Sequence, residues 1–118
     1  EDCADAIIKV LEKGSADQSY NIGARAVFKN IDLIKKVCKI LDKLYPVKLN
    51  SKIKSKINSY FDLIYYVKDR PGHDKSYAIN PKKIENDLKW KPKFSINDGL
   101  KKTVLWYIDN HIKMSKND

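Results

Sequence analysis

The sequence predicts an α/β chain, mainly helical with a few short strands, and three observations lead there. Apolar residues recur at helical spacing in several separate segments. One run, Tyr60 to Val67 (YFDLIYYV), has the aromatic and branched content of a buried strand. The chain also holds only four glycines and no G-x-G-x-x-G loop, so it lacks the phosphate cradle of a dinucleotide-binding unit. At 118 residues it can bury one hydrophobic core at most.

Each element follows in order. Residues 3 to 13 (CADAIIKVLEK) put Ala6, Ile7, Val10 and Leu11 on one helical face, and Gly14 stands where a helix commonly stops. Ser19 to Gly23 (SYNIG) reads as a short strand ending in glycine, with Val27-Phe28 as a second extended piece after a tight turn. Asn30 is the expected N-cap of a helix from Ile31 to about Leu44, buried through Ile34, Val37, Cys38, Leu41 and Leu44, and closed by Pro46. Residues 47–59, rich in Lys, Ser and Asn, read as a flexible, solvated loop. The strand at 60–67 follows. Asn80-Pro81 then starts a short helix through Leu88 with Ile84 and Leu88 inward, ended by Trp90 and Pro92. Ser95 with Asp98 caps a final helix whose stripe is Ile96, Leu100, Val104, Tyr107 and Ile108; the polar tail after Met114 is expected to fray.

The composition narrows the function classes. Hydrophobic residues are 42% and charged residues 33%, and no apolar run reaches the roughly 18 residues a membrane helix needs, so a soluble chain is expected. Cys3 and Cys38 both lie in helical apolar patterns without metal-ligand spacing, which reads as two reduced thiols in the cytoplasm. The chain begins Glu1-Asp2-Cys3 with no initiator methionine and no signal-peptide pattern, as a fragment would. A net charge of +9 raises nucleic acid as a partner, but the cations are scattered, and all but two of the 24 are lysine rather than the arginine that bidentate phosphate contacts favour. The two exceptions are Arg25 and Arg70.

Arg70 falls in Lys68-Asp69-Arg70-Pro71-Gly72-His73-Asp74-Lys75-Ser76-Tyr77, directly after the expected strand. Its planar fork of donors suits a diphosphate, and His73 adds a donor whose charge adjusts near neutral pH. Pro71-Gly72 fixes the turn, and Tyr77 offers a hydroxyl or ring face to a sugar or base. The same residues also fit a plain surface turn with an Asp69-Arg70 ion pair and an exposed histidine. Tyr65, Tyr66, Trp90 and Trp106 read as packing residues, not a stacking platform. His111 reads as a solvated charge near the end of the last helix, and the two histidines support no catalytic triad.

Taken together, YNIG, KNIDLIKKVCKILD, YVKDRPGHDKSYAIN and KIENDLKWKPKFSINDGLKKTVLWYIDN resemble the C-terminal third of the dTDP-glucose 4,6-dehydratases, NAD-dependent members of the extended short-chain dehydrogenase/reductase family. The opening EDCADAIIKVLEKG is similar to that family's VEDHARA segment. The likeness covers nearly the whole chain apart from residues 47–59, and DRPGHD with a following tyrosine and Ala78-Ile79-Asn80 is its most specific part. It implies that residues 1–118 are a C-terminal substrate-binding region without the Rossmann core. Arg70 and His73 would contact the diphosphate or adjacent sugar of a dTDP-hexose, Asp69, Pro71 and Gly72 would shape the loop, and Tyr77 would line the pocket.

The resemblance further implies a cytoplasmic homodimer serving deoxysugar and polysaccharide synthesis. Its missing N-terminal Rossmann domain would hold NAD, the Tyr-x-x-x-Lys pair and the Asp-Glu pair. The whole enzyme would oxidise C4 by hydride transfer to NAD, eliminate water across C5 and C6, and return the hydride to C6. This chain would bind no cofactor or metal, carry no catalytic residue and be inactive alone. Two departures stand out: Arg25, Ala26 and Val27 follow the NIG turn where Asn and Glu are usual, so Arg25 would replace a lost nucleotide contact, and Ser76 stands where a second basic residue is common. Two other readings stay open, a stand-alone basic module for nucleic acid or another polyanion and a remnant without a ligand.

Overall fold

The computed structural model describes residues 1–53, 56–73 and 78–114. Among the described residues there are four helices, α1 (Asp2–Lys13), α2 (Asn30–Leu44), α3 (Lys82–Leu88) and α4 (Ile96–Met114), with single 3₁₀ turns at Val47–Leu49 and Tyr60–Leu63. The chain divides into two compact units, Glu1–Val27 with Asp74–Ser95, and Phe28–His73 with Ile96–Asp118. No described helix is long and apolar enough to cross a membrane.

In the first unit α1 packs against α3. Ala6 and Ile84 are fully buried, Leu88 and Trp90 nearly so, and Val10, Tyr20 and Ile22 lie against them. Acidic residues at the α1 N-terminus favour that helix by complementing its dipole, and here they do more. Asp2 accepts hydrogen bonds from the backbone N–H of Lys93 and Phe94, at 3.1 and 3.2 Å. Asp5 accepts from the Trp90 indole at 3.0 Å and from Lys93 Nζ at 2.8 Å. Two carboxylates one helical turn apart thus clamp the Trp90–Phe94 segment onto the start of α1. Where the chain leaves α1, a Cβ on Gly14 would lie 2.4 Å from the Val10 carbonyl oxygen, so only glycine fits there. At the end of α3, Lys89 takes the left-handed conformation (φ 51°) that reverses the chain and delivers Trp90 to the core.

In the second unit α2 packs against α4 and against the turn at Tyr60–Leu63. Its core is Cys38, Val47 and Tyr60, with Leu41, Ile53, Ile57 and Ile64 around it; on α4, Val104 is buried. The Asp42 carboxylate accepts from the Ser59 hydroxyl and, at 2.9 Å, from the Tyr60 N–H. The Tyr60 hydroxyl donates to the Tyr45 carbonyl at 2.9 Å and accepts from Asn50 Nδ2 at 3.3 Å. Lys36 reaches from α2 to Asn97 Oδ1 at 3.1 Å, its ammonium also lying 5.5 Å from the Phe28 ring centre. Cys3 and Cys38 are free thiols, one exposed and one buried, and burial pushes the Cys38 thiol up.

The helices match the sequence reading within a residue or two, but several details do not. None of the short strands forms among the described residues. Ser19–Gly23 and Val27–Phe28 carry no regular secondary structure, and without a neighbouring strand to pair with, a short segment gains nothing from a sheet geometry. At 60–67 a capping box decides the matter: the Phe61 N–H donates to Ser59 Oγ and the Ser59 N–H donates to Asp62, committing Tyr60–Leu63 to a helical turn. Beyond it Tyr65, Tyr66 and Val67 form no strand and are 81%, 83% and 74% exposed, not buried. Trp90 is core, whereas Trp106 lies 61% exposed on α4, edge-on to the exposed Tyr107. The segment read as a solvated loop buries Val47 and packs Ile53 and Ile57. Ile7, Leu11 and Ile34, expected inside, stand exposed. Asn30 is the first residue of α2 rather than its cap, and Asn80 caps α3 from one residue further out, accepting the Lys82 N–H at 3.1 Å.

Candidate functional site

In the second unit the segment from Ile64 to Arg70 carries no regular secondary structure and ends in a tight reversal. Proline at the second turn position fixes φ, and Gly72 takes φ +71° at the third, the combination that defines a type II turn. The turn closes with the His73 N–H donating to the Arg70 carbonyl at 3.3 Å. Asp69 Oδ1 accepts the Arg70 N–H at 2.9 Å, which holds the entry to the turn.

This backbone brings the side chains of Arg70 and His73 together. Arg70 Nε donates to His73 Nδ1 at 2.9 Å. An arginine Nε is only a donor, so Nδ1 must be the acceptor, and a neutral imidazole then carries its proton on Nε2. Asp69 Oδ1 lies 3.7 Å from the same Nδ1, beyond hydrogen-bond range. The imidazole is about 28% exposed and Asp69 74%. Arg70 is exposed, and its terminal nitrogens bond no other described residue. The turn therefore presents an exposed cationic edge whose terminal nitrogens are uncommitted among the described residues, with Nε held by the ring.

Arg25 is placed differently. It sits in the first unit and uses its fork on Glu85 of α3: Nε donates to Oε1 at 3.2 Å and a terminal nitrogen to Oε2. The hydrogen bond from Arg25 holds the Glu85 carboxyl below the ordinary glutamate range, and Glu85 in turn raises the guanidinium. A bidentate carboxylate partner is what an arginine that crosslinks two segments uses, and it occupies the same edge a phosphate would take. Among the candidate residues, then, the structure brings Asp69, Arg70, Pro71, Gly72 and His73 into one turn, while Arg25 is paired elsewhere with Glu85. Tyr77, together with Ser76, lies outside the described residues.

Sequence reasoning missed Glu85, which is 60 positions from Arg25, and it missed the Asp2 and Asp5 clamp. A described cavity of about 510 Å³ lies over Val47, Asn50, Ile53 and Ile57, and no candidate residue lines it. Its walls are backbone and neutral side chains with one lysine, which is poorer anion chemistry than the exposed Arg70 turn.

Comparison with known proteins bears on this arrangement. The family model described as GDP-mannose 4,6 dehydratase matches residues 1–103. The chain belongs to that family. Among curated relatives it is 44% identical to a dTDP-glucose 4,6-dehydratase of Escherichia coli over 110 residues, which is 93% of this chain and 29% of that protein. It is 42% identical to the dTDP-glucose 4,6-dehydratase of Neisseria meningitidis, with 93% of this chain and 30% of that protein covered. A probable dTDP-glucose 4,6-dehydratase of Sinorhizobium fredii is 39% identical over the same 110 residues. The chain spans about three-tenths of the length of these curated relatives.

Proposed function

We propose that this chain is the C-terminal nucleotide-sugar-binding portion of a dTDP-glucose 4,6-dehydratase, which converts dTDP-glucose to dTDP-4-keto-6-deoxyglucose and water. The observation that carries the proposal is the turn at 69–73, where a rigid Pro-Gly reversal holds an exposed Arg70 edge beside His73. A diphosphate offers pairs of anionic oxygens at the spacing of a guanidinium's terminal nitrogens, so one arginine binds it through two charge-assisted bonds. The turn is set by covalent geometry at Pro71 and by φ at Gly72, so little order is lost when the anion arrives. Asp69 serves the backbone, Tyr77 belongs to the same pocket, and Arg25 acts on the nucleotide end only if it leaves Glu85.

Oxidation, elimination and reduction need groups this chain does not carry. In the proposal a preceding Rossmann domain supplies NAD and the acid/base residues, the whole enzyme is a cytoplasmic homodimer, and the isolated chain turns over no substrate. No step of the reaction is assigned to residues 1–118 beyond holding and orienting the nucleotide sugar.

Titration calorimetry of the chain with dTDP-glucose, with UDP-glucose as comparison and Arg70→Ala as control, tests the reading. Saturable binding that prefers the thymidine nucleotide and falls about 10-fold or more in the variant, as expected for losing charge-assisted bonds, supports it. Folded protein that takes up neither sugar nucleotide refutes it for the isolated chain. Salt-sensitive binding without sugar selectivity would instead assign a general polyanion module.

A further inference from the structure

We infer that His73 is a positioning residue for Arg70 rather than a second cationic ligand for the anion: as a neutral ring it takes the Arg70 Nε–H on Nδ1 and turns the guanidinium so that its two terminal nitrogens face outward together. The nature of the ligand rests on the nucleotide-sugar reading above, but the arrangement does not. A guanidinium can grip an anion end-on, through its two terminal nitrogens, or side-on, through Nε and one of them. His73 occupies Nε at 2.9 Å, so the side-on grip is closed and the end-on fork remains. Of the two partners the ring is the better anchored. It is about 28% exposed and follows a turn fixed by Pro71 and by Gly72 at φ +71°, whereas the arginine is exposed. The more buried acceptor therefore steers the more exposed donor.

The charged groups shown facing the ring are the Arg70 guanidinium and the Asp69 carboxylate, whose Oδ1 lies 3.7 Å from Nδ1. If the ring gained a second proton, Nδ1 would become a donor. It could then no longer accept from Arg70 and would turn to Asp69 instead. A direct anion ligand gains from that proton, but a positioning residue loses its purpose, so the two roles predict opposite behaviour of the Arg70 Nε–H on acidification.

Nitrogen NMR of the full chain reads this without any ligand. The expected result is an imidazole with Nδ1 unprotonated and Nε2 protonated at mildly alkaline pH, and an Arg70 Nε–H that exchanges slowly. That protection should vanish in His73→Ala, return in His73→Asn, whose Oδ1 stands where Nδ1 stood, and disappear as the ring gains its second proton. In calorimetry with dTDP-glucose, His73→Ala should bind about 5-fold more weakly and His73→Asn within about 2-fold of the original, one ordinary hydrogen bond being at stake. A protonated Nδ1, or an Arg70 Nε–H indifferent to His73→Ala, overturns the inference whatever the ligand does. If the ring and arginine signals behave as expected but dTDP-glucose does not bind, the positioning role stands and the nucleotide-sugar reading is the one that fails.

Discussion

Replacing Gly72 by alanine isolates the conformational demand of the candidate site. Gly72 sits at φ +71°, and a Cβ built there meets nothing within 4 Å, so the substitution introduces no clash. Its cost is then the intrinsic penalty of a left-handed conformation for an L-residue with a side chain, about 1 kcal/mol. The closing bond is long, His73 N–H to Arg70 oxygen at 3.3 Å, and cannot hold the turn against a larger strain. About 1 kcal/mol corresponds to a roughly 5-fold shift toward open turn conformations. Amide exchange at His73 should therefore speed up about 5-fold in Gly72→Ala, with the helices of the second unit unchanged. Gly72→Asn should recover most of the protection, because asparagine tolerates the left-handed region better than alanine. A loss beyond about 3 kcal/mol in Gly72→Ala would mean that sterics rather than φ constrain the turn. Equal losses in the two variants would show that φ is not what the glycine supplies.

Three further outcomes are expected. Ile84 is fully buried between α1 and Trp90, so Ile84→Ala should cost about 2 to 5 kcal/mol in urea unfolding and Ile84→Val about 0.5 to 1.5; equal effects of the two would deny a packed core there. Lys89→Gly relieves a left-handed residue at the end of α3 and should raise stability by about 0.5 to 1 kcal/mol, measured as a shift in the urea midpoint at constant slope. The Glu85 carboxyl is held below its ordinary 4.5, chiefly by the hydrogen bond from Arg25, so its contribution is present above that value and is lost as pH falls below it. Glu85→Gln should therefore flatten the acid limb of a stability–pH curve below the ordinary glutamate value, and an unchanged limb would show that the pair does not survive in solution.

How much of this fold could be read from the sequence depended on the range of the interactions involved. The four helices were legible because their signals are local: Ile84 and Leu88 share a face at a spacing of four, Asn80 with Pro81 announces α3, and Ser95 with Asp98 announces α4. The run at 60–67 misled because aromatic and branched content measures fitness for a half-buried pleated surface, and no partner strand is present among the described residues. The deciding signal was nevertheless in the sequence: Ser59 and Asp62 stand three apart, the spacing of a capping box. By contrast, the clamp of Asp2 and Asp5 on Trp90, Lys93 and Phe94 spans about 90 positions, and nothing local distinguishes those aspartates from ordinary first-turn acids.

The candidate site divides along the same line. Residues 69–73 were legible as a unit because Pro71 and Gly72 dictate the backbone, and the backbone dictates that side chains on either side of the turn meet. What the sequence could not supply was the sense of the Arg70–His73 contact. Two cationic residue types beside each other suggest two ligands for one anion, but the observed bond runs from guanidinium to ring, which is possible only if the ring is a neutral acceptor. Arg25 shows the opposite case. Its rarity in a lysine-rich chain drew attention to it as a ligand residue, and the structure gives its fork a carboxylate partner 60 residues away. Rarity marked both arginines as residues with a specific geometric task. Only tertiary contacts separate the one that ties two segments of a unit together from the one whose terminal nitrogens bond no other described residue.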